Sequence, residues 1–94
     1  MNDDDFLSKV EPVARTLSIF DNHSKDLLQE LEVGVPLEML RLIVAARDGD
    51  YKLYLPYVLD ELQIRRLAEL MGKHLQPDFD SNYYVLEASG IYNC

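Results

Sequence analysis

Histidines and carboxylates are the residues of this chain that could do chemistry, and their spacing decides what chemistry is open to them. His23 and His74 are isolated, with no His-x-x-His spacing and no cysteine pair nearby. A metal site needs clustered donors at defined intervals, so both are expected on the surface. Asp48-Gly49-Asp50 has the first acidic positions of a calcium loop but lacks the later ligands and the closing glutamate, and is expected as a turn. Asp60 and Glu61 are adjacent, and neighbours on a helix point to different sides, so they form no catalytic dyad. There is no Gly-rich loop, nucleophile elbow or Ser-His-Asp set. The expectation is a protein that is not an enzyme, with no catalytic residue, no cofactor and no metal.

The single cysteine, Cys94, allows no internal disulfide, and its thiol is expected to be incidental. Asn22-His23-Ser24 fits the glycosylation tripeptide, which carries weight only behind a secretory signal, and none is seen. A reducing, cytoplasmic compartment is therefore expected. No apolar stretch approaches the roughly 20 residues of a membrane span, so no membrane partner is expected. Nine basic residues are scattered among seventeen acidic ones, for a formal charge of −8. Phosphate binding needs clustered Lys and Arg, which excludes nucleic acid as a partner.

What must position these residues is a helical frame within one domain. Residues 1–10 are a polar segment whose Asp3-Asp4-Asp5 run is either disordered or a helix cap. Phe6, Val10, Val13, Leu17, Phe20, Leu27 and Leu31 recur in steps of three, four or seven, which describes one face of a helix. With Pro12 placed in its first turn, that helix is predicted over 11–33, ended by Gly34. A second helix is predicted over 36–48, with Pro36 at its first position and Gly49 after it. Its residues Leu37, Met39, Leu40, Leu42, Ile43, Val44, Ala45 and Ala46 make it apolar almost all round, so more than two neighbours are expected to cover it.

A third helix is predicted over 54–71, stopped by Gly72, with Glu61 and Arg65 spaced for an i, i+4 pair. The fold class that follows is all-α: a small three-helix module of two consecutive helical hairpins over 11–72. Residues 73–94 are read as an irregular aromatic and acidic tail. Tyr83-Tyr84-Val85-Leu86 has strand composition, but a lone strand has nothing to pair with.

Three helices can hide one face each. Leu40, Val44, Leu55, Val58 and Leu62 fit a shared inner face, which leaves Met39, Ile43 and Leu59 as a second apolar patch. These eight residues are the predicted partner-binding set, with a partner's amphipathic helix as the occupant. An isolated chain with this excess of apolar faces is expected to be molten or to self-associate.

The order of Leu31-Glu32-Val33-Gly34-Val35-Pro36-Leu37-Glu38-Met39-Leu40, Val44 and Leu55-Pro56-Tyr57-Val58-Leu59-Asp60-Glu61-Leu62 resembles the mitotic-spindle organizing protein 1 (MOZART) family. The resemblance covers residues 17–70. It departs at Pro56, where the family has Asn-Pro at the start of its third helix, and in the tail. It implies a non-enzymatic adaptor of the γ-tubulin complex that wraps a helical N-terminal extension of a γ-tubulin complex protein. It also implies a role in microtubule nucleation and recruitment to microtubule-organizing centres and spindle poles. The alternative is an acidic helical inhibitor or DNA mimic that binds a basic partner. The two differ in charge geometry, because a mimic needs its acids gathered on one face.

Overall fold

Val13, Thr16, Ile19 and Phe20 are β-branched or aromatic, and they lie in an extended segment, not a helix. In the computed structural model, which describes residues 13–90, β1 (Val13–Asp21) pairs antiparallel with β2 (Leu27–Val33) as a hairpin. The connecting turn is built by Asp21, whose Oδ1 accepts the backbone N–H of His23 at 2.8 Å and of Ser24 at 2.9 Å. Lys25 takes a left-handed φ of 65°, and Asp21 N–H donates to the Asp26 carbonyl at 2.9 Å. The predicted helix over 11–33 is therefore a β-hairpin. Its steps of three and four were chance alignments of two strands, in which Leu17 with Ile19 and Leu31 with Val33 alternate at period two.

After Gly34 the chain enters α1 (Leu37–Ile43), with Pro36 as its N-cap and Val44 already extended at its end. The helix predicted over 36–48 is thus seven residues long. It is not covered all round either: Leu40 is buried while Leu42 is 75% exposed. Residues 44–56 form a loop. β3 (Tyr57–Leu59) follows, then α2 (Glu61–Met71).

The helix predicted over 54–71 begins only at Glu61, because Asp60 caps it. Asp60 Oδ1 accepts the Gln63 N–H and Gln63 Oε1 accepts the Asp60 N–H, both at 2.9 Å. Gly72, at φ 67°, ends α2 in the left-handed conformation that glycine adopts without steric penalty. Glu61 and Arg65 form the expected i, i+4 ion pair at 2.7 Å, mostly exposed and so worth only about 0.3–0.5 kcal/mol.

β4 (Asn82–Gly90) is a nine-residue strand inside the segment read as an irregular tail. It has two partners, β1 and β3, giving an antiparallel sheet of order β2-β1-β4-β3. The fold is therefore mixed α/β and not all-α: a four-stranded sheet with both helices on one side. The core lies between the layers and contains Leu17, Ile19, Val33, Leu40, Val44, Leu53, Tyr57, Leu59, Ile64, Leu67, Tyr84 and Leu86. A fully buried leucine contributes roughly 1.5–3 kcal/mol, so this core is the main source of stability. The readings placed on residues 1–10, with Asp3-Asp4-Asp5, and on Cys94 lie outside the described residues.

Candidate functional site

The eight residues of the predicted partner-binding set are not gathered into one patch. Leu40, Val44 and Leu59 are 0–3% exposed and belong to the protein's own core. Leu59, which the helical reading places on the outward patch, is 2% exposed. It faces inward because β3 alternates Tyr57 in, Val58 out and Leu59 in. Met39 and Ile43 line a shallow groove of about 270 Å³ between the helices, together with Leu42, Arg66, Glu69 and Leu70. Leu62 is exposed on α2 and Leu55 is exposed in the loop. Val58, 68% exposed, stands on the opposite side of the molecule, on the sheet face away from the helices.

That outer face was not anticipated as a surface, and the register defines it row by row. Thr16 lies between Glu32 on β2 and Glu87 on β4. Ser18 lies between Glu30 and Val85, with Val58 beyond. Phe20 lies beside Tyr83, and their rings stack at 5.1 Å between centroids and 14° between planes. Among the described residues neither helix packs on this face, although Ser18 is 3% and Val85 7% exposed at its centre. It carries an aromatic pair at one end and three glutamates toward the other. The signal in the sequence was the alternation Glu30-Leu31-Glu32-Val33, acid out and aliphatic in.

Most of the described cations lie off the outer face, among acids such as Glu38, Glu61 and Glu69. Arg41, Arg47, Lys52, Arg65, Arg66 and Lys73 sit on the helices and loops. Arg15 shares the inward parity of Leu17 and donates from Nη2 to the Lys52 carbonyl at 2.6 Å. Among the described residues only Lys25 borders the outer face, with Nζ 5.3 Å from the Tyr83 ring centre. At the rim, the two turn amides of Ser24 and then His23 hold the Asp21 carboxyl below the usual carboxylate range.

Asp50 was expected in a turn, and it has a second task. Its carboxylate, 7% exposed, accepts from the Tyr57 hydroxyl at 2.6 Å, the Tyr54 N–H at 2.8 Å and the Leu55 N–H at 3.1 Å. Arg47 covers the Tyr57 ring at 4.5 Å and donates from its backbone to the phenol oxygen at 3.0 Å. Burial first, and then the Asp50 carboxylate, push the Tyr57 phenol above its ordinary range, against the opposing Arg47 N–H. This network pins the 44–56 loop, including Leu53, which is buried at a left-handed φ of 56°. With both its carboxylate oxygens so engaged, Asp50 acts as a latch on this loop.

Among the described residues, no group of three or more His, Cys, Asp or Glu could hold a metal ion. No helix there is long and apolar enough to cross a membrane. His23 is exposed in the hairpin turn, and His74 borders a depression of about 380 Å³ with Ile19, Leu28, Gln29, Leu75 and Tyr84.

The family model for a domain of unknown function, DUF7683, matches residues 14–87, from β1 into β4. The chain belongs to that family. The DUF7683 match takes in four elements whole and most of β1 and β4, including Glu30, Glu32 and Glu87 of the outer face. No curated protein and no solved structure matches the chain. Nothing in these comparisons links this DUF7683 domain to the MOZART family.

Proposed function

We propose that this protein is a non-catalytic binding module that takes a basic protein partner on the outer face of its sheet. The observation that carries this reading is the gathering of Glu30, Glu32 and Glu87 around Thr16 and Ser18, on a face where Lys25 is the one bordering cation among the described residues. A partner with Lys and Arg against that face gains charge complementarity and a faster encounter. The Phe20–Tyr83 stack with Val58 and Leu27 supplies the apolar area that a charged patch by itself lacks. This is the acidic-inhibitor reading transferred from helices to a sheet. The γ-tubulin-complex adaptor reading drew on an order of three helices. With a hairpin in place of the first, the geometry favours the basic partner instead.

The test uses the full chain carrying a photo-crosslinking residue at Val58, with Leu42 on the helix side as the control position. Partners are captured from the native host, with and without E30K/E32K/E87K in the same chain. The expected result is a basic protein crosslinked from position 58, lost in the triple variant and weakened by salt. An acidic partner, a partner crosslinked only from position 42, or capture indifferent to the triple variant would refute the reading.

A further inference from the structure

Among the described residues both edges of the sheet lack a further strand, but the two edges are unlike. β3 is three residues long and is preceded by Pro56, which cannot donate to a ladder, so that edge is blunted. β2 is seven residues long, contains neither proline nor lysine, and among the described residues pairs with β1 alone. Leu27 and Leu28, at its start, are 47% and 55% exposed. Such an edge is a template for a further strand.

The side chains of β2 state which strand fits. Glu30 and Glu32 project to the outer face, so a neighbouring strand places alternate residues beside them. A second copy of this chain is a poor fit. Antiparallel pairing centred on Glu30 sets that carboxylate against its own image, and parallel in-register pairing does so for both glutamates, and like charges directly opposed are destabilising. Lysine or arginine at positions i and i+2 turns the same geometry into an attraction. On the other side of the added strand, residues of opposite parity meet half-buried Leu31 and the depression beside Leu28, Gln29 and Tyr84, which suits aliphatic side chains.

We infer that the β2 edge receives an extended segment of the partner protein, with basic residues alternating with aliphatic ones, as a fifth strand of the sheet. This rests on the basic-partner reading above and adds the mode of attachment. Affinity then comes from main-chain hydrogen bonds, and selectivity from the pairing of the alternate cations with Glu30 and Glu32.

The probe is the peptide Thr-Lys-Val-Lys-Val-Lys-Thr, with two backbone N-methylated forms, one methylated at the lysines and one at the intervening residues. Charge matching fixes which parity faces Glu30 and Glu32, so only one methylated form blocks the hydrogen bonds to β2. The peptide is expected to protect alternate amides of Leu27–Val33 from hydrogen exchange. One methylated form, and the E30K/E32K chain, should each bind about tenfold or more weakly, equivalent to roughly 1.4 kcal/mol. Equal binding of all three peptides would overturn strand addition and leave the basic-partner reading standing. Absence of binding by the parent peptide also overturns strand addition, while the crosslinking experiment independently decides the basic-partner reading. Outward amides of β2 protected in the free chain would overturn it as well. A rise of that protection with concentration would identify a second copy as the occupant, and no rise would identify a segment of the same chain.

Discussion

Replacing Asp50 with alanine removes one buried acceptor and strands three donors at once. The Tyr57 hydroxyl is buried and donates to Asp50, while the Tyr54 and Leu55 amides are part-buried. A buried donor left without its partner costs roughly 1–3 kcal/mol. The two amides can reach water and fall near the low end, about 1 kcal/mol each, while the phenol adds about 1–2 kcal/mol. The expected loss for Asp50→Ala is therefore about 3–4 kcal/mol, a large part of the ~5–14 kcal/mol that a domain of this length commands. Since the chain has no tryptophan, urea unfolding is best followed by far-ultraviolet circular dichroism and tyrosine emission. Tyr57→Phe, which keeps the ring under Arg47 but loses the hydroxyl, should cost about 1–2 kcal/mol. The double variant should cost less than the sum of the singles by about 1 kcal/mol or more, because both act on one bond. An Asp50→Ala midpoint within about 0.5 kcal/mol of the wild type would refute the latch, since surface changes usually fall inside that margin.

Three further outcomes follow from the same structure. The folded state holds the Tyr57 phenol above its ordinary value of about 10, so its contribution is intact below that pH and is lost as pH rises through the folded value; alkaline melts should steepen there and flatten in Tyr57→Phe. The Asp21 carboxyl is shifted the other way, so its contribution is present above the usual carboxylate range and disappears as pH falls below it; Asp21→Asn should lose that acid dependence in pH-resolved thermal melts. Leu59→Asp should abolish folding by circular dichroism, whereas Val58→Asp, one residue away on the outer face, should stay folded; two equally folded variants would mean that the inward placement of Leu59 is wrong.

Local signals in the sequence located several elements and misassigned others, and the difference is one of range. Gly72 stops α2 where it was expected, because a left-handed cap needs only the residue itself. Asp60-x-x-Gln63 also marked the start of that helix, and the apolar run from Leu53 to Val58 obscured it. Leu17, Phe20, Leu27 and Leu31 fit a helical period across what proved to be two strands and a turn. Seven or nine residues are too few to separate a period of 3.6 from one of two when both are sampled sparsely. That single misreading propagated. With 11–33 taken as helix, Tyr83-Tyr84-Val85-Leu86 had no partner and became an irregular tail, although its partner is β1 at the other end of the chain.

The sequence by itself determined that the protein is acidic, that Gly72 stops a helix, and that a helix follows Pro36, though not that it ends at Ile43. Only the tertiary structure decided which apolar residues are core and which are surface. Leu59 and Val58 are equally apolar neighbours, and the pleat of β3 against β4 sends one inward and the other out. The same holds for the glutamates. Glu87 is far in the chain from Glu30 and Glu32, and it shares their face only because β1 lies between β2 and β4. Strand pairing is a contact between distant segments, and nothing in either segment alone records its neighbour.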